Sequence, residues 1–468
     1  MIDLAEIAHK AMIDRGFIPD FPKPVLDELE RIQAPAKPLP KIRDMREWLW
    51  VSIDNDDSRD LDQLTFAEKD KIYVAVADVD ALVKKGSAID VQARHNTTSV
   101  YTPTEIFLML PSKLCYDLTS LNEKMDRLAI VVEMNVTMNG QFELEAIYPA
   151  FVRNQAKLTY NGVGACLEQG SCQDLPRGQL ELQDQIAQRI QAYRDQEGAL
   201  VFAERELHAV IVNGIPVGLA EKTINRAHKL IENFMIAANV GVTRYLIEKK
   251  LPSIRRVVKT PKRWDRIVSL AKGLGDQLPV KPDARALRKF LLHQQKVNPS
   301  HFSHLSLAVI KLIGRGEYVL GKAGEKHLEH FNLAEVEYAH TTAPNRRYPD
   351  IIMQRILKSS LQGLPLPYSN GELTEMAAHC TQKEDDANKV ERQLIKCAAA
   401  MILVKEIGKT FHAMVTGASP KGTWVRLLDP PVEGKLVKGF KGVDVGDYLT
   451  VRLERVDVMN GHIDFSRI

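Results

Sequence analysis

The sequence is short of what a membrane protein, a secreted disulfide scaffold or a polyelectrolyte would need. Its longest uninterrupted apolar run spans only Cys397 to Val404, whereas a membrane-crossing helix needs ~18 such residues, so integral membrane function is excluded. The first residues, MIDLAEIAHKAMIDRG, hold Asp3, Glu6 and Asp14 and no apolar h-region, so neither a secretory signal nor a transit peptide is expected. Cysteine is scarce: there are 5, an odd number, and no pair has the C-x-x-C spacing of zinc or redox sites. Reduced thiols in a cytosol-like compartment are therefore the expectation. Charge of either sign is not in excess, because 63 Lys+Arg against 60 Asp+Glu leave a net +3.

What is present is ordinary globular composition, 45% hydrophobic and 26% charged, which argues against a disordered or fibrous chain. At 468 residues the chain suits two to four domains at roughly 100–200 residues each. Charge is unevenly placed. Between Gly241 and Lys296 there are 15 Lys+Arg against 4 Asp+Glu. Such a stretch suits a phosphate-binding channel, and it equally suits a set of solvated helical faces.

Residues 1–40 read as a small helical module of helix-turn-helix type. LAEIAHKAMIDRG and VLDELERIQ have helical spacing and Pro22 and Pro24 stand between them. The segment PAKPLPKIRD reads as a linker. From Trp48 the pattern changes to strands, at WVSID, DQLTFAE, KIYVAVADV, LAIVVEMNV and HAVIVNG. Long helical stretches follow, among them INRAHKLIENFMIAANVGVTRYLIEK and KEDDANKVERQLIKCAAAMILVKEIG. Strands first and helices afterwards predict an α+β body over residues 45–405. Residues 408–468 alternate with period two through five short strands, which fits a small OB barrel. Phe411, Trp424, Phe440 and Phe465 with Lys421, Lys435, Lys438 and Lys441 could give it a nucleic-acid face, or the aromatics could be barrel core.

The most informative segment is SIDNDDSRDLDQL. It sets Asp54, Asp56, Asp57, Asp60 and Asp62 between two apolar strands. Carboxylates crowded this closely repel one another unless a cation compensates them, and hard oxygen ligands favour Mg²⁺, Mn²⁺ or Ca²⁺ over Zn²⁺. A helix-loop-helix calcium loop counted from Asp54 fails, because Arg59 and Thr65 occupy the Gly and Glu positions. The plainer alternative is a solvated acidic turn. A second constellation, YAHTTAPNRRYPD, places Arg346 and Arg347 in a Pro-bounded loop. Guanidinium groups there suit a phosphodiester, or a surface ion-pair loop. GEYVLGKA has phosphate-loop spacing, but Ala323 stands where Ser or Thr must reach Mg²⁺, so no nucleotide cofactor is expected.

Taken together, these segments resemble the RNase II / RNase R (RNB) family of exoribonucleases. SIDNDDSRDLDQL resembles the family's acidic motif. GSAIDVQARHNTTSVYTPTEIFLMLP resembles the strands and loop after it, INRAHKLIENFMIAANV a helix with a ribose-contacting Glu, and YAHTTAPNRRYPDIIMQRIL the arginine motif. The resemblance implies an α+β catalytic domain with a mixed sheet, closed by an OB-type barrel of the ribosomal-protein S-one type. It implies metal-site roles for Asp54, Asp60 and Asp62, with Gln63 where the family normally has a fourth Asp. It implies that Asp62 and Arg346 are catalytic, Arg346 acting on the scissile phosphate beside Arg347. Tyr101 and Tyr160 would stack on terminal bases and Glu232 would meet a ribose. Gln354 stands where the family usually has His. The family's usual cold-shock domains are absent from the helical first residues. The expectation is a cytoplasmic monomer using Mg²⁺, or Mn²⁺, to degrade single-stranded RNA processively from the 3′ end to nucleoside 5′-monophosphates.

Overall fold

The computed structural model describes residues 3–468 other than 39, 41, 173–175, 203–206, 213–214, 222, 326–328 and 334. Two helices come first, α1 (Leu4–Asp14) and α2 (Lys23–Arg31). Asp3 caps α1 by accepting from the Ala5 N–H. Leu4, Ile7, Ala8, Ala11 and Met12 form its buried stripe.

The body is built on a mixed seven-stranded sheet. Its strands are β1 (Arg43–Asp44), β2 (Val51–Asp54), β3 (Gln63–Glu68) and β4 (Lys71–Ala77). After α3 (Ala88–Asn96) and a short hairpin, β5 (Val100–Tyr101) with β6 (Ile106–Phe107), come β7 (Asp126–Val136), β8 (Phe142–Arg153) and β9 (Ala156–Thr159). The order is β1-β8-β7-β4-β3-β2-β9, antiparallel except where β1 meets β8 and β2 meets β9. From Ile72 to Ala77 every residue of β4 is buried, which is why that strand reads as a continuous apolar run and lies mid-sheet.

Helices α4 (Tyr160–Gln169), α5 (Arg177–Glu197) and α6 (Arg226–Glu248) cover the sheet, with a hairpin, β10 (Leu207–Val212) and β11 (Ile215–Glu221), standing outside it. The HAVIVNG expectation falls on this hairpin, and Asn213 and Gly214 lie outside the described residues. Helix α6 approaches β7 closely at Gly241, where an added Cβ would sit 2.7 Å from Met134 Sδ. The chain continues through β12 (Ser253–Val257), α7 (Trp264–Gly273), α8 (Ala284–Val297), α9 (Pro299–Ile313), β13 (Glu317–Gly321), β14 (Glu329–His330) and β15 (Glu335–Val336). Then come α10 (Tyr348–Gln362) and the long α11 (Asn370–Leu403).

Strands β16 (Thr410–Ser419), β17 (Gly422–Leu427), β18 (Glu433–Lys438), β19 (Tyr448–Asp457) and β20 (His462–Arg467) close a barrel in the order β16-β17-β18-β20-β19. Phe465 is fully buried in its core, whereas Phe440 is exposed. Ala399, Ala400 and Leu403 of α11 share that core, and Met414 and Val445 of the barrel share the core of α7–α9. The face of α1 packs on α11 together with Val100 and Phe107 of the β5–β6 hairpin.

Two expectations change. The five cysteines are not all thiols, because Cys166 and Cys172 form a disulfide while Cys115, Cys380 and Cys397 are free and buried. Gly170, in the left-handed conformation at φ +74°, ends α4 and turns the chain back, bringing the two Cα atoms to 4.4 Å. The argument from thiols to a reducing compartment therefore does not hold. The basic stretch 241–296, in turn, does not form one open face. Lys259, Arg263, Arg266, Arg285 and Arg288 are paired with Glu317, Asp444, Asp447, Glu197 and Asp195. Arg255 is fully buried. Much of that charge docks the helices on the body and on the barrel.

The barrel is also joined through Glu433, which accepts from Thr416 Oγ1 at 2.7 Å and faces Lys311 and Lys396 at 3.7 and 3.5 Å. Burial disfavours its charge, but Lys311 and Lys396 outweigh burial and hold the carboxyl down at about 2. A depressed carboxyl stabilises the fold above its unfolded value of 4.5 and ceases to do so as pH falls through about 2. Glu433→Gln is expected to lower stability at pH 7 by roughly 2–3 kcal/mol. Thermal unfolding at pH 7 and at decreasing pH should show the gap to wild type closing toward pH 2.

Candidate active site

The acidic segment is the connection from β2 to β3. Asp54 ends β2 in parallel register with Thr159 of β9, so Tyr160, the first residue of α4, lies beside it. Thr159 starts that helix by accepting from the Gly162 N–H. Asp54 Oδ1 accepts from the Asn55 N–H at 2.7 Å and from Ser58 Oγ at 2.8 Å. Asp56 and Asp57 are exposed at the tip.

Asp62 is the innermost carboxylate, at 1% exposure. The Ala77 N–H donates to its carbonyl, so its backbone is fixed to the end of β4. Its side chain is met by the arginine loop. The Asn345 N–H donates to Oδ1 at 2.8 Å and Arg346 Nε to Oδ2 at 3.2 Å. Burial pushes the Asp62 carboxyl up to about 7, with Arg346 opposing and the Asp60 charge adding to the rise. Asp60 is raised by burial too, and its Oδ2 accepts from the Tyr101 hydroxyl at 3.2 Å.

The arginine loop is strapped in place. The Ser99 N–H donates to Arg346 O, the Tyr348 N–H to Thr97 O, and Thr119 Oγ1 to Asn345 Oδ1. The two arginines differ. Arg347 pairs with the fully buried Asp350 at 2.7 Å, and that carboxylate also accepts from the Ala343 N–H. Arg346 keeps 42% of its side chain exposed. Burial works against its charge, and Tyr101, Asp62, Asp60 and Asp54 hold it protonated. Arg346 is thus the more accessible of the two guanidiniums.

The structure therefore brings Asp54, Asp60, Asp62, Tyr101, Tyr160 and Arg346 to one place. Gln63 opens β3 opposite Val76 and is half-buried. Glu232 stands apart: it pairs with Lys229 at 2.6 Å and Arg194 at 3.6 Å and lines a cavity of about 970 Å³. Among the described residues no hydrogen bond joins it to the three aspartates. Gln354, by contrast, bridges the Asp80 N–H and Ala77 O, so it anchors α10 to the end of β4.

Sequence reasoning missed His228. Its ring stacks on Tyr160 at 3.9 Å and 13°, and it caps α6 with Asn225. The signal was its place one turn before Glu232 on the same helix. Asn345 was also missed, although it directly precedes Arg346.

The donor set suits a hard divalent cation in kind, because buried carboxylates that raise one another need positive charge. In the arrangement described, Arg346 supplies that charge on Asp62. Among the described residues, no three His, Cys, Asp or Glu side chains stand close enough to hold an ion. Neither is there a helix long and apolar enough to cross a membrane among those residues.

A family model described as the RNB domain matches residues 42–363, more than half of the chain, and one described as the RNase II-type exonuclease C-terminal S1 domain matches 409–468. Ribonuclease R of Aquifex aeolicus is 28% identical over 99% of this chain and 70% of its own length. Ribonuclease R of Escherichia coli is 29% identical over 91% of this chain and 57% of its own. The chain thus spans 57–70% of the length of these two relatives. The fold is that of Mycoplasma genitalium RNase R in complex with ribose-methylated single-stranded RNA. The TM-score is 0.89 and the identity 23%, over 100% of this chain and 78% of that one.

A carboxyl raised by burial favours the fold only while protonated, a contribution complete below 3.8 and lost as pH rises through about 7. In chelator, Asp62→Asn is expected to be more stable than wild type at pH 8 by roughly 2 kcal/mol. Urea unfolding at pH 8 and pH 5 should show that margin shrinking at the lower pH.

Proposed function

Because this chain belongs to the RNB family of RNase II-type exoribonucleases, hydrolases that act on RNA, we propose that it degrades single-stranded RNA processively from the 3′ end and releases nucleoside 5′-monophosphates in the cytoplasm, as a monomer. One observation carries the reading. Arg346, 284 residues further along the chain, rests on Asp62, the innermost carboxylate of the acidic loop. A guanidinium able to meet a phosphate, set against a buried carboxylate, supports a reading of phosphodiester hydrolysis.

Asp54, Asp60 and Asp62, with Gln63 offering a neutral oxygen, would hold Mg²⁺ or Mn²⁺. When bound, such ions supply an activated water and neutralise charge at the phosphate and the leaving 3′ oxygen. The chain's own residues do the rest. Arg346 grips the scissile phosphate and opposes the charge that builds on it. Arg347, bound to Asp350, fixes the loop that aims Arg346. Tyr101, anchored through its hydroxyl to Asp60, offers a partly exposed ring for a terminal base. Tyr160, already backed by His228, offers a second ring beside Asp54. Glu232, on the helix that carries His228, can accept from a 2′-hydroxyl once it turns from Lys229.

Gln63 favours a second reading, a protein that binds RNA and does not cleave it, since one metal-site charge is missing. End-labelled RNA with Mg²⁺ separates the two. Release of mononucleotides that requires a free 3′ end supports the exonuclease. Internal fragments would indicate an endonuclease, and a gel shift without cleavage the binder. Asp62→Asn is expected to lower cleavage by 10³-fold or more, of the order that metal-site charge contributes, while RNA binding measured by anisotropy survives. Gln63→Asp is expected to reduce the Mg²⁺ concentration needed for half-maximal rate, which a metal titration of the cleavage rate checks.

A further inference from the structure

A cleft of about 720 Å³ opens between α1, α9, α11 and the barrel. Six cations line it, Arg15, Arg263, Lys311, Lys389, Arg392 and Lys396, against one carboxylate, Glu433. The charge is placed by helix periodicity: Lys389, Arg392, Gln393 and Lys396 recur at i, i+3, i+4 and i+7 on one face of α11. Arg15 comes from the C-terminal cap of α1. Four of the cations are committed. Lys311 and Lys396 face Glu433, Lys389 pairs with Asp386 and Arg263 with Asp444. Arg15 and Arg392 are exposed; Asp386 and Glu433 feel their charge, but neither arginine closes a salt bridge among the described residues.

The cleft and the active site share a helix. Glu391, next to Arg392, accepts from the Tyr101 N–H at 2.9 Å, and the Tyr101 hydroxyl donates to Asp60. A strand whose last bases meet Tyr101 thus has this cleft within reach along α11. On the barrel side Trp424 lines it, half-buried against Gly417 and Gly422. Exposed guanidiniums with an aromatic ring, in a groove open to solvent, match what a single strand offers: spaced phosphates and unstacked bases.

We propose that this cleft binds the phosphodiester backbone of the RNA upstream of the cut, with Arg15 and Arg392 as its exposed phosphate-binding charges. The first helix then contributes to the substrate path as well as bracing the hairpin that carries Tyr101. This inference rests on the reading of the chain as an RNA-degrading enzyme, and it places the upstream contacts on α1 and α11 rather than on residues 241–296 as a whole.

The test uses the full chain in chelator and a labelled oligouridylate of about 16 nucleotides, the upper site size for one small barrel, followed by anisotropy across a salt series. Arg15→Glu/Arg392→Glu is expected to raise Kd at least tenfold. It should also flatten the slope of log K against log salt by about 1.4, two charges at ~0.7 each for a single strand. With Mg²⁺, kcat/KM should fall at least tenfold more on that oligonucleotide than on a trinucleotide. The neutral pair Arg15→Gln/Arg392→Gln, which perturbs α1 less, should move slope and length dependence the same way. An unchanged Kd and slope in both pairs, or equal losses on the long and short substrates, would overturn the proposal. The binding arm needs no cleavage. Wild type that binds with this salt dependence yet releases no mononucleotide would refute the enzymatic reading and leave the cleft standing.

Discussion

A carboxylate taken almost wholly out of water must find positive charge or protonate, and Asp62 answers that constraint with a loop from the other end of the catalytic body. Its two oxygens are claimed by the Asn345 N–H and by Arg346. Much of the surrounding structure keeps that loop where it is. Thr97 and Ser99 bond to its backbone, Thr119 holds the Asn345 amide, and Asp350 at the first turn of α10 ties Arg347 and the Ala343 N–H. Glu391 of α11 in turn fixes Tyr101, and α1 fills the core between α11 and the β5–β6 hairpin. A reactive cluster that disfavours its own charge can persist only in a scaffold this strongly braced, and the cost in stability is part of the site.

What the sequence made legible was local. The strands of the sheet and barrel declare themselves through period-two alternation or a continuous apolar run, and the acidic connection through density of Asp between two such strands. Those signals lie within a dozen residues of one another. The Asp62–Arg346 contact has no such signal, because 284 residues separate the partners. Only the order of the motifs suggested that the two loops belong together. His228, one turn from Glu232, was missed for a similar reason: its ring meets Tyr160 because β9 runs parallel to β2 and delivers Tyr160 to the start of α4, a fact of topology rather than of composition. The Cys166–Cys172 pairing escaped because its six-residue separation matches no redox motif. It depends on a left-handed glycine that reverses the chain.

Charge was the least legible quantity. A window rich in Lys and Arg promised a nucleic-acid face, yet six of its side chains, Arg256, Lys259, Arg263, Arg266, Arg285 and Arg288, pair with carboxylates supplied by distant elements, Asp195, Asp444 and Asp447 among them. Counting charge in a window measures supply. Availability depends on which partners the fold brings, and those are set by packing of α7–α9 on the barrel and on α5. The same distinction separates Arg346 from Arg347, identical neighbours in sequence. One is bound to a fully buried aspartate, and the other keeps nearly half its side chain in solvent above the acidic loop. It separates Arg392 from Lys389 on α11 as well.

Gln63 fits this logic. Its neighbour Asp62 is fixed from two sides, by the β4 backbone and by the arginine loop, so the geometry of the innermost carboxylate does not depend on the side chain at position 63. Replacing a fourth carboxylate by an amide removes one unit of repulsion from a cluster in which burial already lifts Asp60 and Asp62. The scaffold is then relieved of part of its electrostatic load, while Arg346 and the three aspartates keep their places. In the function proposed above, the consequence falls on cation affinity rather than on the placement of Asp62 against Arg346.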